Sequence, residues 1–335
     1  MKLRYYFISI LLIISCSSNF KKDKFANINL TVDLDDQASM QKIYFNSSNP
    51  FSFKDIINDL DSQAKQDVFG ILRMPTKSKK TQKYPLIIAV AGSNGWSDHH
   101  YDYLQMYREN GIATFELCSF QSRGILSTVG TQVEVTTAMM ILDSYRAHEI
   151  LAQHPHIDSE NIGITGWSLG GGVALFSAWK PINNAINPGV KFAAHLPIYP
   201  PCIVTPKLLD FGESPIHILI GELDNWTPAA ACQELVDQTE NNIELTIYEG
   251  AHHSFDSNSK LAVRQNGYIL EDCRFQMKSD GTVLMNFFNI PMTTPLLQKI
   301  GLFMCARRGP TYGRSDSAKV KAFNFSRSFM NTHLY

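Results

Sequence analysis

The chain lacks an excess of charge of either sign. Thirty Lys and Arg stand against thirty-one Asp and Glu, a formal net charge of −1. Without a basic block there is no electrostatic footprint for nucleic acid, so no nucleic-acid partner is expected. Charge is scarce altogether, 18% of residues against a usual ~25%, which fits a large buried sheet better than a solvent-laced helical array. No motif repeats at a fixed period, which excludes solenoids and propellers. The six cysteines include no C-x-x-C pair, so neither a zinc ribbon nor a thioredoxin-type redox site is indicated. What the chain has is apolar material, 44% of 335 residues. That is enough for a sizeable core and too much for disorder over most of the length. Length alone leaves one or two domains open.

The N-terminus reads as an address. Met1-Lys2-Leu3-Arg4 is basic, and Tyr5 to Ile14 is ten residues, apolar or aromatic except for one Ser. At ~1.5 Å per residue it cannot cross a ~30 Å hydrocarbon core, so it is a signal h-region. Ile13-Ile14-Ser15-Cys16 resembles the end of a bacterial lipoprotein signal. That resemblance implies a signal peptide over 1–15, lipidation at Cys16, a polar tether over 16–39, and an exported envelope protein held to the membrane by a lipid anchor, facing the periplasm or the cell surface. An ordinary secretory signal is the alternative, and both readings imply export. The cysteines agree, because disulfides persist in oxidising compartments. By proximity Cys202 pairs with Cys232 and Cys273 with Cys305, while Cys118 falls outside both pairs; five buried thiols is the alternative.

From residue 40 the pattern is strand-like at Lys42 to Phe45 and at Val68 to Arg73, and then alternates. Pro85 to Ala91 is a continuous apolar run, the mark of a strand buried on both faces, and Ile112 to Leu117, Ile162 to Trp167, Phe192 to Ile198, Ile216 to Ile220 and Leu245 to Tyr248 read as further strands. Helical spacing lies between them at Tyr101 to Glu109, Gln132 to Gln153, Leu169 to Trp179, Pro228 to Gln238 with Thr227 as N-cap, and Ala318 to Thr332. This predicts a mostly parallel sheet covered on both faces. Residues 257–314 break the alternation and read as a long excursion, a possible cap.

Gly166-Trp167-Ser168-Leu169-Gly170 falls between a strand and a helix. It is the G-x-S-x-G nucleophile elbow, in which Ser168 sits on a sharp turn and the helix start aims backbone N–H groups at a developing oxyanion. A candidate acid follows a later strand: Asp224, with Glu222 as its rival. A candidate base follows the next one, in Glu249-Gly250-Ala251-His252-His253-Ser254-Phe255. Neighbouring loop residues rarely face one point, so only one histidine can reach Ser168. The order Ser, acid, His is that of the α/β-hydrolases. Trp96, Trp167 and Trp226 each flank a motif and are read as pocket walls, with ordinary packing as the alternative. Arg123 is read as a candidate for a substrate carboxylate, with a structural ion pair as the alternative. His99-His100 is read as a solvated loop; no metal and no cofactor is expected.

Together Gly166-Trp167-Ser168-Leu169-Gly170-Gly171, Gly221-Glu222-Leu223-Asp224-Asn225-Trp226-Thr227-Pro228 and the His252-His253 segment resemble the dienelactone hydrolase family. So do Ile43 to Phe51, Ser119 to Gly124, and Pro197 to Cys202 with Cys232, so that the likeness runs from about 40 to 332. The resemblance implies an α/β-hydrolase fold over 40–335. It implies His253 as base, since the family's base lies two residues before Phe. It also implies oxyanion donors from the Leu169 amide and from the Gly92–Ser93 loop. Two departures stand out: Ser168 where better-known members have Cys, which favours general ester chemistry, and Ala91-Gly92-Ser93 where His-Gly is usual. The expectation is a serine hydrolase of carboxylic esters or lactones with a small-molecule substrate. The alternatives are a non-catalytic binding lipoprotein on the same fold and a small serine peptidase. Intact Ser, Asp and His argue against the first, and the want of length for a gating domain against the second.

Overall fold

The structure, a computed structural model, describes residues 40–79, 81–239 and 243–335. The expected signal, Cys16 and the tether lie outside them. Eight strands form one sheet: β1 (Met40–Ser48), β2 (Lys65–Arg73), β3 (Tyr84–Val90), β4 (Ala113–Leu117), β5 (Ile157–Trp167), β6 (His195–Ile198), β7 (Ile216–Gly221) and β8 (Ile243–Tyr248). Their spatial order is β1-β2-β4-β3-β5-β6-β7-β8. β2 pairs antiparallel with β1 and β4, and every other pairing is parallel. Every residue of β3, β4 and β7 is buried, as strands covered on both faces require.

Among the described residues there are nine α-helices: α1 (Phe53–Asp59), α2 (Asp98–Glu109), α3 (Ser119–Ser122), α4 (Thr137–Leu151), α5 (Leu169–Phe176), α6 (Lys180–Ile186), α7 (Ala229–Gln238), α8 (Pro295–Phe303), which belongs to the excursion, and α9 (Asp316–Leu334). The alternation of side chains along β5 separates two faces. A Cβ on Gly166 would strike α5, whereas Gly163 faces Leu334 of α9 and Trp167 packs on Tyr103 of α2. Helices therefore cover both sides of a mostly parallel sheet, as the alternation predicts. Among the described residues no helix is long and apolar enough to cross a membrane.

The excursion after β8 is built as a stalk that runs out and back. Ala262–Val263 pairs with Thr311–Tyr312, then Tyr268–Ile269 with Arg307–Arg308. A disulfide joins Cys273 to Cys305 beyond these rungs. Farther out, Phe275–Met277 lies parallel to Val204–Pro206, which docks the segment onto the loop that follows β6. The second expected disulfide, Cys202–Cys232, ties that loop to α7. Cys118, left alone by pairing on proximity, is not a free thiol, and neither is any other described cysteine: closeness along the chain does not decide which cysteines the fold brings together.

Two local readings need correction. His99 and His100 are not in a solvated loop. Ser97 caps α2, with His100 accepting the Ser97 N–H at 3.2 Å, and both rings are buried. Thr227 does not cap α7, which starts from Pro228; its hydroxyl serves Asp224 instead.

Candidate active site

The β5-to-α5 turn decides where Ser168 points. Its backbone takes φ 57° and ψ −116°, the left-handed side that costs a non-glycine residue free energy and that recurs at functional turns. Packing enforces the bend. A Cβ on Gly166 would lie 2.2 Å from the Gly170 carbonyl oxygen, and one on Gly170 would lie 2.1 Å from the Val90 oxygen. Only glycine lets β3, β5 and α5 approach so closely. The first amides of α5 have no acceptor within the helix, so the Leu169 N–H is available above the sheet. The loop after β3 lies against the same turn, since a Cβ on Gly92 would sit 3.4 Å from the Ser168 Cβ. Gly92 and Leu169 thus flank Ser168, and Ser93 lines the same cavities as Ser168.

His253 Nε2 is 3.0 Å from Ser168 Oγ, and His253 Nδ1 is 2.7 Å from Asp224 Oδ2. Asp224 is buried and well supplied with donors. Its Oδ1 accepts the amides of Trp226 and Thr227 at 2.9 and 2.8 Å, and its Oδ2 accepts the Thr227 hydroxyl at 3.0 Å. Those bonds hold the carboxylate in one orientation. Glu222 instead accepts the Gly250 amide at the surface. His252 turns away, with Nδ1 on Thr311 Oγ1 of the stalk at 2.9 Å. The adjacent histidines therefore face different partners, and only His253 meets Ser168.

Beneath this chain of bonds lies a group that the motifs do not announce. Asp256 is fully buried; Tyr199 donates its hydroxyl to it at 2.9 Å and Trp167 its indole N–H at 3.2 Å, while His99 Nε2 lies 3.6 Å away. The Tyr199 ring lies 4.7 Å from that of His253. Burial first, then the Asp256 charge, pushes the Tyr199 hydroxyl well above its ordinary pKa, so it remains a donor. Burial holds His99 below its usual value, and it holds His100 well below, with His99 as the second cause. Both rings are neutral at pH 7. Tyr199 and Ser254 also have positive φ, 38° and 52°, so backbone strain gathers around the site.

Two cavities meet at Ser168. One, about 180 Å³, is lined mostly by apolar side chains, among them Phe53, Phe176, Ile203 and, from the excursion, Leu270, Phe275 and Leu302. The other, about 430 Å³, is the more polar of the two, with polar and apolar surface in nearly equal measure, and includes His253, Asn94, Asn258 and Arg264. Trp226 borders both, 4.9 Å from the His253 ring, and Trp167 borders the second, stacked 4.4 Å from His100. Trp96 borders neither cavity: its indole donates to the Leu117 carbonyl and its ring stacks on Tyr101. Arg123 does not face substrate. It pairs with buried Asp143 at 2.7 and 3.1 Å and donates to Asn49 and the Ser119 carbonyl, a set of bonds that uses its fork inside the fold. Among the described residues no cluster of three His, Cys, Asp or Glu side chains could hold a metal ion.

An eight-stranded, mostly parallel sheet with one reversed strand, a serine on a strained strand–helix turn, and an acid and a histidine on later loops define the α/β-hydrolase fold. Residues 105–271 match the model of the dienelactone hydrolase family. Among solved structures, a dienelactone hydrolase-like promiscuous phosphotriesterase from metagenomic libraries is similar with a TM-score of 0.51 at 12% identity, covering 88% of this chain and 98% of that one. A thermophilic esterase, Est2, from the Planctomycetes species Thermogutta terrifontis gives 0.44 at 18% identity, over 59% of this chain and 81% of its own. Est1E from Butyrivibrio proteoclasticus gives 0.42 at 18%, over 56% and 86%. No curated protein matches the chain.

Proposed function

We propose that the protein is a serine hydrolase that cleaves carboxylic esters or lactones through an acyl-enzyme. The observation that carries this reading is the unbroken line from Asp224 through His253 to Ser168, at 2.7 and 3.0 Å. The match of 105–271 to the dienelactone hydrolase family supports it. Two disulfides in the body fit work in an oxidising, extracytoplasmic compartment.

His253 Nε2 takes the Ser168 hydroxyl proton as Oγ attacks the carbonyl carbon. Asp224 holds the imidazole in the right tautomer and stabilises the imidazolium. The Leu169 amide and the Gly92–Ser93 loop offer donors to the oxyanion. As the tetrahedral adduct collapses, the carbon–oxygen bond to the leaving group breaks, and His253 gives that oxygen the proton. Water then attacks the acyl-enzyme, His253 accepts a water proton and returns it to Oγ, and the carboxylic acid leaves.

A fluorophosphonate should label the wild type and leave Ser168→Ala unlabelled and inactive with a similar melting curve. Replacing His253 by Ala should reduce kcat/KM on the order of a thousandfold or more, and His252→Ala far less. Labelling that persists in Ser168→Ala, or the opposite ranking of the histidines, rejects the assignment.

A further inference from the structure

The two cavities at Ser168 differ in chemistry, and the proton assigns one to each half of the substrate. On the serine hydrolase reading, the departing oxygen must come within hydrogen-bond reach of His253 Nε2 to receive its proton. His253 borders the larger, polar cavity and not the apolar one. Of the oxyanion groups, Leu169 borders the apolar cavity, Gly92 the polar one and Ser93 both, so it is the proton that orients the ester. The alcohol therefore leaves toward the polar chamber, and the acyl group lies in the apolar one.

Each chamber selects its occupant. An apolar cavity of roughly 150 Å³ admits benzene, and the 180 Å³ under the excursion suits a short acyl group of about six carbons. The polar chamber, at 430 Å³, falls within the ~300–1,000 Å³ of small-molecule sites. Its walls carry the hydroxyls of Ser97, Ser257 and Ser259 and the amides of Asn94 and Asn258, with Trp226 and Tyr312 as flat apolar faces. Its charged side chains are Asp98 and Arg264, of opposite sign. Many neutral donors and acceptors beside aromatic faces, with no net charge, match an uncharged polyhydroxylated alcohol rather than a phosphate, a carboxylate or an alkanol.

We propose that the substrate is a short-chain, apolar acyl ester of a sugar or similar polyol, with the acyl group seated beneath the excursion and the polyol on the His253 side.

The test uses purified protein with two ester series, glucose monoesters and ethyl esters, each made with acetyl, butyryl, hexanoyl and decanoyl groups. Expected are a maximum at butyryl or hexanoyl, a drop of about tenfold or more at decanoyl, and a preference of about tenfold for glucose over ethyl esters of the same acid. Leu302→Trp should lower the hexanoyl-to-acetyl ratio, and Asn258→Ala the glucose-to-ethyl ratio. The wild-type series stands alone should either variant fail to fold. A chain-length profile that rises through decanoyl, or equal rates for glucose and ethyl esters, overturns the proposal while leaving the hydrolase reading intact. So does an Asn258→Ala effect on the acyl profile in place of the alcohol ratio. Absence of turnover on every ester together with absence of fluorophosphonate labelling overturns both.

Discussion

Asp256 receives an indole N–H from Trp167, the residue before Ser168, and a hydroxyl from Tyr199, whose ring packs beside His253. One carboxylate thereby joins the two halves of the site without touching the reacting atoms, as a positioning residue. Replacing it by Asn keeps the shape and removes the negative charge. Small displacements of reacting groups are costly, so kcat for Asp256→Asn should fall about tenfold to a hundredfold while KM changes little. Active-site titration with a fluorophosphonate separates this from a folding defect: a positioning role lowers kcat per labelled site, whereas a loss confined to folding lowers the labelled fraction and leaves kcat per labelled site unchanged. Ser168, Asp224 and His253 were legible in the sequence because glycines and strand ends mark turns where side chains must emerge. Asp256 was not, because nothing in the sequence near His253 says that its loop folds under Tyr199 and Trp167. The one available signal was an acid directly after Phe255 in an apolar setting. Thr227 misled for a related reason: a Thr before a Pro and a helix resembles a cap, and only the folded loop shows its hydroxyl on Asp224.

At the scale of elements, the two disulfides do different jobs. Cys202–Cys232 encloses the stretch that carries Asp224, and Cys273–Cys305 closes the outer part of the excursion that roofs the apolar cavity. Each closed loop is about thirty residues, for which chain entropy gives roughly 3–4 kcal/mol, often not fully realised. Paired Cys→Ser replacements should both lower Tm, but they should separate in kinetics. Loss of Cys202–Cys232 should slow every ester alike, because the acid loosens; loss of Cys273–Cys305 should raise KM for hexanoyl esters more than for acetyl esters. A steady-state comparison of the two variants below their melting points checks this. The core strands and long helices were predictable because their apolar periods are strong. The excursion was visible only as a break in alternation, since its strands are of two or three residues and the rungs of its stalk join residues about forty to fifty apart. His99 and His100 were misplaced because a Ser97 cap starts α2 earlier than the apolar pattern does.

For the molecule as a whole, the buried histidines set a limit on the acid side. Burial lowers His148, His154 and His195 from 6.5 to about 4. In the unfolded chain they take protons near pH ~6.5, so between that pH and about 4 the unfolded state binds more protons than the folded one. Their neutral burial thus supports the fold fully above pH ~6.5 and loses that support as pH falls, on the order of 1 kcal/mol per pH unit for each histidine. Urea midpoints should decline from pH 6.5 toward 4, and His195→Gln, which removes one titrating ring, should make the decline shallower; an unchanged slope in that variant contradicts the assignment. The stalk has a different consequence at this scale. Much of the roof of the apolar cavity comes from one stretch that leaves the body after β8, is tied together at its neck and returns before α9. Its inner face shapes the apolar cavity, while its base is stitched to the loop of His253 through Tyr312 and Gly313, so the one segment bears on both the room around Ser168 and the seat of the histidine.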